Sequence, residues 1–146
     1  MSQLRPLRRA ARFGVEAARA VVTLLVIEVC LRTGGVDTAC ARLGLRSDLT
    51  SARQPRAGHV VLPRRTKTPV RACCAVASAW PAGDTCLRRC LLLGHRLRQL
   101  DPVLRIGVRR EDAVFAAHAW LEIDGVALDP ASAGYAALGT ANGAPS

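Results

Sequence analysis

The chain changes its hydrophobic period once. Up to Leu100 apolar residues recur at intervals of three and four; after Asp101-Pro102, Leu104, Ile106 and Val108 alternate with Arg105 and Gly107. A period of two marks a strand, and the residue before a proline is a natural helix end. The expected strands therefore lie in the last third of the 146 residues, behind helices from the part before it. The turn in that last third is equally restrictive. Asp124-Gly125, set between Leu121, Ile123 and Val126, Leu128, is the dipeptide a two-residue hairpin loop requires. With those two residues in the loop, Ile123 faces Val126, Leu121 faces Leu128 and Ala119 faces Pro130. The other face pairs Trp120 with Asp129 and His118 with Ala131.

Ahead of the sheet, residues 4–32 read as one helix whose docking stripe is Val15, Ala18, Val22, Leu25 and Val29, with Gly34-Gly35 as its stop. A short helix over 37–44, capped by Asp37 and ended by Gly44, is expected next. Residues 46–67 are polar and basic, hold Pro55, Gly58 and Pro63, and read as a linker or mobile loop. Thr68 and Pro69 open a helix that runs to Ala79, before Trp80-Pro81. The following helix starts at Cys86 and carries Cys86, Cys90, Leu93, Leu97 and Leu100 on one stripe. Arg109 to Asp112 turn the chain between the first two strands, and the tail from Ala131 offers little besides Tyr135. This divides the chain into a basic helical region with linker, 1–67, and a core, 68–146.

Charge is uneven. Residues 1–72 hold 14 Lys+Arg against 4 acids, and residues 73–146 hold 7 against 7, so the net +10 sits in the front half. Nucleic acid is a poor match, because only 3% of residues are aromatic and no recognisable module gathers the arginines. An acidic peptide or an anionic membrane surface suits that charge better. The uncharged run Ala20 to Ile27 is far short of the ~20 residues a bilayer needs; Glu16 and Arg19 interrupt its approach and Glu28 ends it, which argues against a signal peptide. Six cysteines without a scaffold-like spacing imply reduced thiols and a cytoplasmic location, and no Cys-x-x-Cys pair supports a zinc site.

Three residues carry chemistry. Cys86 opens a helix, where the partial positive charge of the first turn favours a thiolate. His118 lies on a strand, and the hairpin register makes Asp129 its diagonal neighbour, within about 5–8 Å. Asp124, six residues along the same strand, is about 20 Å away. A thiol nucleophile, an imidazole base and a carboxylate that orients the base form a hydrolase triad. Backbone N–H groups around Thr85 to Leu87 are the expected oxyanion donors. Trp120 either packs in the core or shields the thiolate and imidazolium. Cys90 reads as core, Glu122 as a solvated strand residue, Arg88-Arg89 as a solvated helix face, and His95 and His59 as bystanders.

Thr85-Cys86-Leu87 with Arg89, the strand Ile106-Gly107-Val108-Arg109, then Ala117-His118-Ala119-Trp120-Leu121-Glu122 and a terminal Asp129-Pro130 resemble the transglutaminase-like cysteine peptidases of lasso-peptide biosynthesis. The likeness runs from about Val70 to Pro130 and includes Trp80-Pro81. It implies an α+β, papain-like fold, in which a nucleophile helix packs on a small antiparallel sheet behind N-terminal helices. It also implies removal of the leader from a ribosomally made precursor, with Cys86, His118 and Asp129 in the triad, Thr85 and Trp120 in the pocket, and no cofactor or metal. A small residue such as Thr is expected before the cut. A stand-alone peptidase of this kind works with a separate leader-recognition protein and a cyclase. Acyl transfer to an amine by the same triad, and a non-catalytic subunit that binds leader or partner, are the competing readings.

Overall fold

A computed structural model describes residues 4–111 and 114–139. Four helices pack against one another, with α4 lying on the central strands of a five-stranded sheet: α1 (Leu4–Thr33), α2 (Gly35–Leu43), α3 (Lys67–Ser78) and α4 (Cys86–Arg96). The strands are β1 (Arg46–Ser47), β2 (Val103–Glu111), β3 (Val114–Ile123), β4 (Val126–Ala127) and β5 (Ala136–Ala137). The α+β class follows the change of period. The sheet is mixed rather than purely antiparallel, because β1 joins β2 in parallel, pairing Arg46 with Val103 and Ser47 with Leu104. β3 lies antiparallel along the whole of β2, and β5 pairs with β2 at Gly107 and Val108.

The hairpin has its expected register, Ile123 opposite Val126 and Glu122 opposite Ala127. Asp124 (φ 52°) and Gly125 (φ 76°) both take the left-handed conformation that a tight two-residue loop demands. Leu128 N–H still donates to Leu121 O at 2.9 Å, and then the chain leaves the sheet. Pro130 opens a 3-10 turn, Pro130–Gly134, so the expected pairs Ala119–Pro130 and His118–Ala131 do not form. Proline has no N–H for a ladder and a φ suited to a helix start, which explains the exit. Of the turn expected at Arg109 to Asp112, Arg109 and Arg110 belong to β2, and Asp112 lies outside the described residues.

The core joins Leu24, Ile27, Leu43 and Leu45 to Leu91, Leu92, Leu104, Ala119 and Leu121. α1 spans the expected residues but turns its other side inward. Val15, Val22, Leu25 and Val29 are 53–61% exposed, whereas Glu16, Ala20, Leu24, Ile27, Glu28 and Cys30 are buried. Two arginines from α4 make this orientation possible. Arg96 donates two hydrogen bonds to Glu16, 2.8 and 2.9 Å, and Arg88 forms a bidentate pair with Glu28, which also accepts from Trp80 Nε1 at 3.0 Å. A carboxylate so matched can be taken from water, so a helix side with two acids can face inward. Arg88 is thus a clamp, and Arg89 pairs with Asp84; neither is merely a solvated face.

Helix limits differ from expectation by a residue or two at α2 and α3. α2 starts at Gly35, behind Gly34 rather than Asp37, and α3 starts at Lys67 after a 3-10 turn over Arg64–Thr66. α4 stops at Arg96, and Leu100 lies in a separate 3-10 turn, Arg98–Leu100. The segment 46–67 is packed rather than a free linker. Arg105, fully buried in β2, pairs with Asp48 and donates to Ser51 O and Arg53 O at 2.6 and 2.7 Å, while Arg56 N–H donates to Gly125 O at 2.7 Å. No helix among the described residues is long and apolar enough to cross a membrane.

Candidate active site

Thr85 is the N-cap of α4. It is extended (φ −97°, ψ 149°), and its Oγ1 accepts from Arg88 N at 3.3 Å. The turn just before it places Asp84 beside Arg89, and Cys86 becomes the first helical residue. Its thiol is half-buried and lines a cavity of about 410 Å³ together with Cys90, Leu93, His118, Trp120 and Asp129. Thr85 itself is spent on the cap and lies outside that lining.

β3 presents His118 to the same cavity. Its Nε2 lies 2.6 Å from Asp129 Oδ2. A carboxylate accepts, so Nε2–H is the donor, and Nδ1 is the ring nitrogen left for proton exchange. The other oxygen, Oδ1, accepts from Ala131 N at 2.9 Å, which makes Asp129 the N-cap of the 3-10 turn. Ser132 Oγ donates to Asp129 O at 2.7 Å. In a continued strand Asp129 would be a diagonal neighbour of His118. The break at Pro130 frees it to come within hydrogen-bond distance, and its two carboxylate oxygens hold the imidazole on one side and the turn on the other.

Two aromatic side chains pack beside the ring of His118. Trp120 is fully buried and nearly parallel to it, with ring centres 6.3 Å apart and planes 22° apart. Tyr135 covers the imidazole at 5.0 Å, and the Arg109 guanidinium sits over the Tyr135 ring at 4.9 Å. Trp120 is therefore both core and cavity wall. Its Nε1–H donates to Glu122 Oε1 at 3.1 Å, and Glu122 is buried with Arg105 and Arg53 near it. Glu122 is thus part of the support behind Trp120 rather than a solvated strand residue. Tyr135 and Arg109 are missing from the sequence-derived site. A single aromatic in an Ala/Gly/Ser tail was the available signal, but nothing local indicates that β5 returns the tail to β2.

Burial raises the thiols of three other cysteines. All six are free. Cys90, one turn on, donates to Ala119 O at 3.3 Å, and burial pushes its thiol up to about 12. Burial also lifts Cys73 to about 11 and raises Cys40. A thiol so strongly raised is almost wholly protonated near neutrality and is a poor nucleophile. Cys90 therefore cannot stand in for Cys86. His95 is half-buried, its Nδ1–H donating to Leu43 O at 2.9 Å, and His59 is exposed in the 46–67 segment. Among the described residues no group of three or more His, Cys, Asp or Glu is arranged to hold a metal ion.

The family model described as the transglutaminase-like superfamily matches residues 21–140. No curated protein and no solved structure matches the chain. The matched span includes Cys86, His118 and Asp129, together with most of α1.

Proposed function

The chain belongs to the transglutaminase-like superfamily, whose fold serves cysteine peptidases and acyltransferases, and from that premise we propose that it is the leader peptidase of a lasso-peptide maturation system. The observation that carries the reading is the 2.6 Å contact between His118 and Asp129 in a cavity that also receives the first-turn thiol of α4. In this scheme Cys86 Sγ attacks the carbonyl carbon at the leader–core junction. His118, having taken the thiol proton, returns a proton to the leaving amine as the C–N bond breaks, and a thioester to Cys86 remains. His118 then takes a proton from water, whose oxygen displaces the thiolate and releases the leader as an acid. Asp129 keeps the imidazole in the tautomer that exposes Nδ1 to sulfur. The first-turn amides of Cys86 and Leu87, which have no intrahelical acceptor, are the donors best placed along α4 to stabilise the oxyanion. The precursor peptide, a separate leader-recognition protein and a cyclase are the expected partners.

The test is mass spectrometry of a leader-bearing precursor incubated with its recognition protein and this chain. Cleavage at one bond is expected, falling by about 10³-fold or more in Cys86→Ala and His118→Ala. Equal cleavage by the variants would remove Cys86 and His118 from the chemistry. Adding a primary amine separates the two acyl acceptors, because an amide adduct in place of the free acid would identify a transferase.

A further inference from the structure

The outward side of α1 is the largest feature that the proposed reaction leaves unused. Arg8, Ala11, Val15, Ala18, Val22, Leu25 and Val29 succeed one another at steps of three and four and are all exposed. That is the spacing of a helix-to-helix seam, in which, from Ala11 on, Ala or Leu alternates with β-branched Val. The opposite side of α1 is already occupied by α2, α3 and α4, so the seam has no partner within the described fold. Beside it runs a groove of about 700 Å³, apolar at Val15, Ala18 and Val22, with His95, Arg96 and Arg98 along its other wall.

Charge decides what would fill it. Both acids of α1, Glu16 and Glu28, are buried and engaged by α4, with Arg19 and Arg32 of α1 also reaching them, so the exposed charges on the described helix are all arginines, of which Arg8, Arg9 and Arg12 face no acid of α1. A second copy of a chain with net charge +10 would bring like rows of arginine together. We propose that this face docks an amphipathic α-helix of a different protein, one with large apolar residues at three- and four-residue intervals and Asp or Glu on its flanks. The seam from Ala11 to Val29 is about 27 Å long, so the partner helix needs about 18 residues. Small Ala11 and Ala18 leave room for large side chains on the incoming helix.

The probe is a synthetic 21-residue helical peptide with Leu on the seam positions and Glu on the flanks, titrated against the full chain by fluorescence anisotropy. Controls are a Lys-flanked counterpart and the double variant Val22→Ser/Leu25→Ser, which keeps the net charge and removes only exposed side chains. Saturable binding that weakens at least tenfold with Lys flanks, and at least tenfold in the Ser variant, supports the proposal. Equal binding by the Ser variant reduces the effect to diffuse charge and overturns it. So do self-association of the chain that the Ser variant abolishes, and binding to phosphatidylglycerol vesicles in preference to the peptide.

Discussion

His118 is held by three side chains. Asp129 takes Nε2, and Trp120 and Tyr135 pack beside the ring. An aromatic contact of this kind contributes about 0.5–1.5 kcal/mol. Tyr135→Ala is therefore expected to lower kcat about tenfold with little change in KM, because it loosens the base without touching the scissile bond, while Tyr135→Phe retains most of the rate. A tenfold loss in both variants would assign the effect to the hydroxyl instead of the ring. Among these contacts the sequence made the Asp129 one legible: Asp124-Gly125 fixes the register, and the register brings Asp129 to the histidine side. Its final 2.6 Å approach was not legible, since it depends on β4 ending at Ala127 and the chain turning away at Pro130. Tyr135 could not be placed by any local pattern, because a two-residue strand, β5, is too short to show alternation.

Between elements, Gly107 is the point where the tail, the sheet and the site meet. A Cβ there would lie 2.7 Å from Ala136 O and 2.7 Å from the Trp120 ring, closer than either can accept. Gly107→Ala is expected to separate β5 from β2 and tilt Trp120. The cost should be about 2 kcal/mol by denaturant titration, in the range of overpacked cores, with loss of the proposed peptidase activity because Tyr135 and Trp120 both move. An unchanged unfolding midpoint would show that β5 contributes no stability. The same scale explains the misread segment 46–67. Its prolines, glycine and arginines have the composition of a loop, yet it packs because Arg105, fully buried on β2, needs Asp48, Ser51 O and Arg53 O around its guanidinium. That demand originates more than fifty residues downstream, beyond the reach of windowed patterns. Where the pattern was local, as at Thr85-Cys86 or Asp101-Pro102, the boundary fell within a few residues of its expected place.

Across the whole molecule, α1 is fastened to α4 by Glu16–Arg96 and Glu28–Arg88. Hydrogen bonds from those arginines hold both carboxyls below their ordinary value of 4.5, although burial opposes the shift. A carboxyl whose folded pKa is depressed adds stability above its unfolded pKa and loses it as pH falls through the folded one. The chain should therefore lose stability progressively below about pH 4.5. Glu28→Gln should cost about 3 kcal/mol at pH 7, in the range for breaking a largely buried ion pair, and should flatten the stability profile between pH 5 and 3. A profile as steep as that of the parent chain would place the acid sensitivity elsewhere. These two pairs also explain why the hydrophobic stripe of α1 pointed the wrong way: period alone ranks Val above Glu for burial, and only the arginines of α4 reverse the order. The pairs set a timetable as well. Arg88 and Arg96 follow their glutamates by 60 and 80 residues, an interval of roughly 3–16 s at synthesis rates of ~5–20 residues per second. During those seconds α1 is outside the ribosome with neither side satisfied, and a nascent-chain chaperone has access to an inner surface that the finished fold closes.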